Sequence, residues 1–206
     1  MPSVYDLKPA FQGVLRPIVR GLVGAGITPN QLTLAAVLGS LATGIALPAA
    51  ASHPRLLLLL PAWLLARMAL NAMDGMAARE HGMKSRLGGA LNEVGDVVSD
   101  VALYLPLAAL GPHQRWPAVA FAMCAALTEF CGVLGAAMGG PRRYDGPMGK
   151  SDRALTVGAL GLLGALAPRT LAWWPPLLWA ASALALLTCW NRVAGALREP
   201  SAGARR

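Results

Sequence analysis

Charge is scarce in this sequence. Asp, Glu, Lys and Arg make up 14% of its 206 residues and hydrophobic residues 55%, whereas an ordinary soluble domain carries about 25% charged residues. With a mean hydropathy of +0.50, that scarcity excludes an ordinary soluble domain and points to a multi-span membrane protein. A spanning helix takes about 20 apolar residues, so the length admits roughly five to seven spans and no separate soluble domain. Cysteine is also scarce. Cys124, Cys131 and Cys189 lie in apolar runs, are odd in number and form no CxxC pair, so they read as small buried hydrophobes and not as metal or redox groups. The N-terminal stretch shows no compact apolar core before a cleavage site: Lys8, Arg16 and Arg20 are spread among apolar residues, and Pro9 and Pro17 interrupt them. A cleavable signal peptide is therefore not expected. There is also no inverted repeat or pair of broken helices of the kind transporters carry.

What is present is a series of apolar segments separated by short polar breaks. Residues 4–25 set Val4, Leu7, Phe11, Leu15, Ile18, Val19 and Leu22 against Lys8, Arg16 and Arg20, the pattern of an amphipathic helix lying in the membrane surface. In ITPNQLT, Thr28 suits a helix N-cap and Pro29 the first helical position. Spans are then expected at about 30–50, 54–78, 87–110, 116–138, 154–167 and 171–191; the fifth is short and has to borrow residues from its flanks. The fold expectation is an all-α integral membrane protein, six transmembrane helices preceded by an N-terminal amphipathic interfacial helix. It forms a single membrane domain over 1–198 with a disordered tail at 199–206.

The cations fix the orientation. Lys8, Arg16, Arg20, Arg79, Lys84, Arg86, Arg142, Arg143, Lys150, Arg153, Arg192, Arg198, Arg205 and Arg206 fall on one side of a six-span plan; only Arg55, Arg115 and Arg169 fall on the other, and Arg67 lies within a span. The positive-inside rule puts both termini in the cytoplasm, with a bacterial inner membrane as the expected location. Because the net charge of +8 is dispersed between apolar segments, it gives no reason to expect nucleic acid as a partner. Trp116, Trp173 and Trp174 sit near span ends, as interfacial anchors do. His53, His81 and His113 carry no support as ligands.

Against this background, the stretch NAMDGMAAREHGMKSRLGGALNEVGDVVSD is exceptional. Ionisable groups inside a membrane helix are costly and mark function by default. Asn71, Asp74 and Ala78 recur at helical spacing near the end of the second span; Gly88, Asn92, Asp96 and Asp100 recur every four residues at the start of the third. Consecutive antiparallel spans can bring the two stripes face to face. Carboxylate and amide oxygens are hard ligands suited to Mg²⁺, Mn²⁺ or Ca²⁺ and not to zinc. Gly75, Gly88 and Gly89 leave room beside the helices, and Arg79 with the 142–153 loop supplies cations on the same side. Metal, small residues and cations together describe a phosphate-handling site, with a polar seam that fixes helix packing as the structural alternative.

The spacing resembles that of the CDP-alcohol phosphatidyltransferase family, D-x-x-D-G-x-x-A-R-x8-G-x-x-x-D-x-x-x-D. Here it reads Asn71-x-x-Asp74-Gly75-x-x-Ala78-Arg79-x8-Gly88-x-x-x-Asn92-x-x-x-Asp96, with every spacing kept and both departures being Asp to Asn. The six-span plan, the amphipathic start and ITPNQLT are similar to the family as well. The resemblance implies transfer of a phosphatidyl group from CDP-diacylglycerol, or a similar CDP-linked lipid, to an alcohol acceptor, with release of CMP, in phospholipid synthesis. It implies Asp74 as a metal ligand, Gly75, Ala78 and Gly88 as space for the nucleotide, Arg79 on the phosphates and Asp96 as the base that deprotonates the acceptor. It implies Lys150 and Arg153 on the phosphate of a phosphorylated acceptor, and a homodimer.

Asn71 and Asn92 lower the motif's formal charge from that of four carboxylates to that of two. Either one or two Mg²⁺ or Mn²⁺ ions can then be envisaged, with Asp100, one turn beyond Asp96, the preferred compensating ligand over Glu93. Asn30 is a candidate nucleotide contact from the start of the first span. Arg142 and Arg143 read as topological or lipid-headgroup contacts. Glu129, mid-span, is expected to pair with Arg67 or to line the polar cavity. The acceptor is not named by the sequence: glycerol phosphate, inositol phosphate, serine and other polyols all fit. Two other functions stay open, a catalytically impaired relative that binds lipid or nucleotide and a transporter built on Glu129.

Overall fold

The computed structural model describes residues 7–198, with side chains from Phe11 onward; the first residues of the expected amphipathic segment and the tail at 199–206 lie outside them. The described residues form seven α-helices and no strand: α1 (Leu7–Gly24), α2 (Pro29–Ala46), α3 (Leu59–Glu80), α4 (Arg86–Tyr104), α5 (Arg115–Ala137), α6 (Lys150–Leu166) and α7 (Trp174–Arg198). Tight 3₁₀ turns at Leu47–Ala51, Pro54–Leu58, Leu105–Ala109 and Pro168–Trp173 extend or join them. Each of these turns carries a proline in its first two positions. Proline has no N–H to give to a continuing α-helical ladder, so the regular helix ends or begins there.

The helix starts near the site are chemically marked. Thr28 caps α2 as the sequence predicts, and Gln31 completes a reciprocal box in which its side-chain oxygen accepts from the Thr28 N–H at 2.8 Å. Ser85 caps α4 by accepting from the Gly88 N–H at 2.9 Å. The Asp152 carboxylate accepts from the Gly149 N–H at 2.9 Å and anchors the start of α6. That start at Lys150 is four residues earlier than expected, so Lys150 and Arg153 belong to the first turn of a helix and not to a loop. α7 likewise continues well past residue 191, which brings Arg192 inside a helix, where it is buried.

The continuous helical stretches Pro29–Ala51, Pro54–Glu80, Arg115–Ala137 and Pro168–Arg198 are long and apolar enough to cross a membrane. α4 carries too many charges to qualify, and α6, with 17 residues, is too short. The outside of the protein is nevertheless apolar: Leu38, Ile45, Val94, Phe130, Leu155 and Leu186 are all exposed. The polar residues point inward. On α4, Asp96, Ser99 and Asp100 are buried while Leu87 and Val94 face outward. This is the distribution of a protein whose solvent is lipid.

Two apolar clusters flank the polar interior. One joins Leu57, Leu60, Leu103, Phe121, Trp174 and Leu178 at one end of the bundle. The other packs Leu15 and Val19 of α1 against Leu32 of α2 and Met73, Met76 and Ala77 of α3. α1 thus rests part of its apolar face on α3, leaves Val14 and Ile18 exposed, and is pinned by Arg16 to Glu80 through two bonds of 3.1 Å. α2 packs against both α3 and α4, and α6 against α3. α2 and α4 approach closely where Gly44 lies against the Ala102 carbonyl and Gly95 against Val37.

Candidate active site

The expected meeting of α3 and α4 takes an unexpected form. α2 serves both helices as a packing partner, and the space between α3 and α4 is bridged by long polar side chains. Asn71 Nδ2 lies 3.5 Å from Asp96 Oδ1. Arg67, one turn before Asn71 on α3, donates to the Asp96 carbonyl at 3.2 Å, stands 3.5 Å from Asp96 Oδ1 and reaches Asp100 Oδ1 at 2.5 Å. From α6, the Lys150 ammonium also contacts Asp96 Oδ1. One oxygen of Asp96 is therefore approached by an amide, a guanidinium and an ammonium.

Asp74 is anchored from α2. The Thr33 hydroxyl donates to Asp74 Oδ2 at 2.8 Å in a buried setting. Thr33 is not among the residues expected from the sequence, although its position three residues after Asn30 puts it on the same helical face. Asn30 itself stands against α4: a Cβ added to Gly88 would be 2.9 Å from the Asn30 side-chain oxygen. On α3, a Cβ at Gly75 would be 3.1 Å from the Arg79 guanidinium nitrogens, so Arg79, although exposed, folds over Gly75. Ala78 is half-buried one turn beyond Asp74, and Asn92 half-buried one turn before Asp96. Asn30, Gly88, Asn71, Asp74 and Asp96 thus occupy one end of the α2, α3 and α4 group, with Lys150 beside them.

Three of the expected residues have partners that the sequence does not show. Asp100 is fully buried, with Arg67 on one oxygen and Arg153 on the other at 2.8 and 3.0 Å, so both its oxygens are committed to guanidinium groups and not free for a metal. Arg153 is also fully buried. Its donors serve Asp100, Glu129, the Thr128 hydroxyl at 2.6 Å and the Met148 carbonyl at 3.2 Å, which turns it away from any incoming phosphate. Glu129 pairs with Arg153 and, at 2.6 Å, with Arg142, and not with Arg67. It is no lone intramembrane acid, which removes the feature on which the transporter alternative rested. Arg142 bridges Glu93 at 2.7 Å and Glu129, and Arg143 binds Asp145 at 2.8 Å, so both arginines order the 138–149 connection instead of simply facing lipid headgroups. Arg192 donates to the Thr128 carbonyl and, at 3.2 Å, to the Asp145 carbonyl. In that connection, the hydrogen bond from Arg143 holds the Asp145 carboxyl below its ordinary range.

The donor set can be tested against a metal. Among the described residues no three His, Cys, Asp or Glu side chains are grouped to hold an ion. Two carboxylates, Asp74 and Asp96, and two amides, Asn71 and Asn92, remain. Mg²⁺ is typically held by one or two carboxylates together with substrate phosphates, and carboxylate and amide oxygens are donors that suit such a hard ion.

A sequence profile of CDP-alcohol phosphatidyltransferases matches residues 26–190. The chain belongs to the CDP-alcohol phosphatidyltransferase family. It is 49% identical over 191 residues to the inner membrane protein YnbA of Escherichia coli K12, covering 92% of this chain and 94% of that protein. It is 27% identical over 206 aligned positions to the phosphatidylinositol phosphate synthase of Mycobacterium marinum, covering 95% of this chain and 84% of that enzyme. The crystal structure of Mycobacterium tuberculosis phosphatidylinositol phosphate synthase with CDP-DAG bound superposes with a TM-score of 0.76 at 20% identity, over 92% of this chain and 96% of that one. The same enzyme in complex with manganese and citrate gives 0.75 at 20% identity, over 92% and 91%. These structural likenesses establish the fold. With the apolar helices and the family profile, they make the chain a membrane protein.

Proposed function

We propose that this protein transfers the phosphatidyl group of CDP-diacylglycerol, or a similar CDP-linked lipid, to the hydroxyl of an alcohol, releasing CMP. The observation that carries the reading is the gathering of Asn30, Asn71, Asp74, Gly88 and Asp96 at one end of α2, α3 and α4, with Lys150 of α6 on the same carboxylate. Asn71, Asp74, Gly88 and Asp96 are family motif positions, and the family relatives include a solved enzyme with CDP-DAG bound.

The small residues set the nucleotide. Gly75 and Gly88 leave the helix surfaces open, with Arg79 over one and Asn30 beside the other. A divalent ion, when bound, offsets the charge of the diphosphate and polarises its oxygens. Asp74, oriented by Thr33, and the carbonyl oxygens of Asn71 and Asn92 would hold it, with Asp96. The acceptor oxygen attacks the phosphorus that carries the diacylglycerol. Its proton passes to Asp96, the bond from that phosphorus to the CMP oxygen breaks, and CMP leaves with the electron pair. Positioning and charge neutralisation supply most of such a barrier reduction.

Lys150 favours an acceptor that bears its own phosphate. It is 30% exposed on its side chain and already sits on Asp96; an arriving phosphate draws the ammonium away and frees the carboxylate as a base. Six spans with both termini in the cytoplasm, a single membrane domain over 1–198, an interfacial α1, a homodimer and a bacterial inner-membrane location complete the reading. α4 and α6 cross as protected helices, because α4 is packed by α2 and α5, and α6 by α3, while Asp100 and Arg153 are paired and fully buried.

The test is CMP release by the purified protein in lipid–detergent micelles containing CDP-diacylglycerol, Mg²⁺ or Mn²⁺ and a panel of alcohols, phosphorylated and not, with Asp96→Ala as control. Acceptor-dependent release that vanishes in the control supports the transferase and names the acceptor. The two Asn residues of the motif favour one second reading, a relative that binds the CDP-lipid without turning it over. Metal-dependent lipid binding with no CMP release from any acceptor would establish that reading instead.

A further inference from the structure

We infer that Arg67 is a built-in cation standing in for a second metal ion, so that the site takes one divalent ion per chain. The inference rests on the proposed reading of the cleft as a diphosphate site. A mid-span arginine is costly in a membrane and calls for a specific partner or role. Arg67 lies one turn before Asn71, is 3% exposed, and spans Asp96 and Asp100 with a single guanidinium. It therefore sets a fixed positive charge in the space between α3 and α4, against both Asp96 and Asp100.

The charge balance agrees. In the deeper network, Asp100, Glu129 and Glu93 are matched by Arg153, Arg142 and Arg192, which contact one another or feel one another's charge. Arg67 and Lys150 then match Asp74 and Asp96, and Arg79 over Gly75 adds a positive charge, so the protein site carries no net negative charge without an ion. The diphosphate of a CDP-lipid brings two negative charges, which one divalent ion cancels. A second ion would add two further uncompensated positive charges, beside a guanidinium that cannot deprotonate. Asp100 gives no relief, because it is fully buried and its second oxygen belongs to Arg153.

Mn²⁺ titration with electron paramagnetic resonance tests this on the purified full chain in micelles with CDP-diacylglycerol. One isolated, uncoupled Mn²⁺ per chain is expected. The double variant Asn71→Asp with Asn92→Asp, which restores the carboxylates but keeps Arg67, is expected to bind one ion more tightly, still uncoupled. Adding Arg67→Gln is expected to admit a second ion and a spin-coupled pair. Two ions or none in the parent protein, a second ion in the double variant, or a single ion in the triple variant would each overturn the inference. If the triple variant does not fold, the first two measurements decide. The count is independent of turnover: one ion without CMP release sinks the transferase reading alone, and two ions with CMP release sinks this inference alone.

Discussion

Arg67 on α3 meets Asp100 on α4 at 2.5 Å, and Asp100 gives its other oxygen to Arg153 of α6 at 2.8 Å. One fully buried carboxylate therefore ties three helices together. Removing one partner of a buried ion pair leaves an uncompensated charge and costs about 3–5 kcal/mol. Asp100→Asn is expected to destabilise the protein by roughly that amount, read as a lower unfolding temperature in detergent. Were Asp100 a metal ligand, the same variant would weaken Mn²⁺ binding and leave metal-free stability unchanged.

Thr33 orients Asp74 by donating to Oδ2 at 2.8 Å. Partners that orient a metal ligand are typically worth about 10–100-fold in metal affinity. Thr33→Val is expected to weaken Mn²⁺ binding by about that factor, and Thr33→Ser, which keeps the hydroxyl, to restore it. Equal binding by Val and Ser variants would remove Thr33 from the site.

Lys150 and Arg153, three residues apart, are expected to behave differently. Lys150→Ala removes a charge-assisted contact worth about 1.5–3 kcal/mol, so KM for a phosphorylated acceptor should rise about 10–150-fold. An unphosphorylated analogue should be affected much less. Arg153→Ala strips the buried Asp100 and Glu129 of a shared partner and is expected to lose folded protein, by about 3–5 kcal/mol, before any KM can be measured. Size-exclusion profiles and acceptor titrations separate the two.

How much of the site can be read from the sequence is a matter of range. The motif from Asn71 to Asp96 was legible because its positions recur at helical spacing within two neighbouring helices, where local geometry sets which residues share a face. Thr28 as cap and the proline-marked ends of the apolar segments were legible for the same reason. Whether Arg153 faces a ligand or a buried acid depends on Asp100 and Glu129, which are 53 and 24 residues away. Arg142 finds Glu93 at a separation of 49 residues, and no periodicity encodes that distance. The start of α6 at Lys150 was missed because a Gly/Pro/charge-rich run reads as loop until the Asp152 carboxylate is seen to anchor the Gly149 N–H.

Asp145 lies outside the helices, and Arg143 depresses its pKa from the ordinary 3.8. A depressed carboxyl contributes stability that is present above its unfolded pKa and lost as pH falls through the lower folded value. Limited proteolysis of the 138–149 connection should therefore be flat between about pH 8 and pH 5 and rise only in stronger acid. Asp145→Asn should be cleaved faster at every pH in that interval. A rate that climbs already between pH 7 and pH 5 in the parent protein would assign the ordering of this segment to another group.

The division of the interior charges among α3, α4, α5 and α6 has a consequence for biogenesis. A ribosome delivers Arg67 before Asp100, Asp100 before Glu129, and Arg153 after all three. α4 on its own is charged and α6 on its own is short, so neither partitions well into lipid by itself. Each becomes a favourable membrane segment only when the helix holding its counter-charge is already in place. On the six-span reading proposed above, insertion becomes a relay in which α3 recruits α4, α4 with α5 recruits α6, and Arg153 locks Asp100 and Glu129 together.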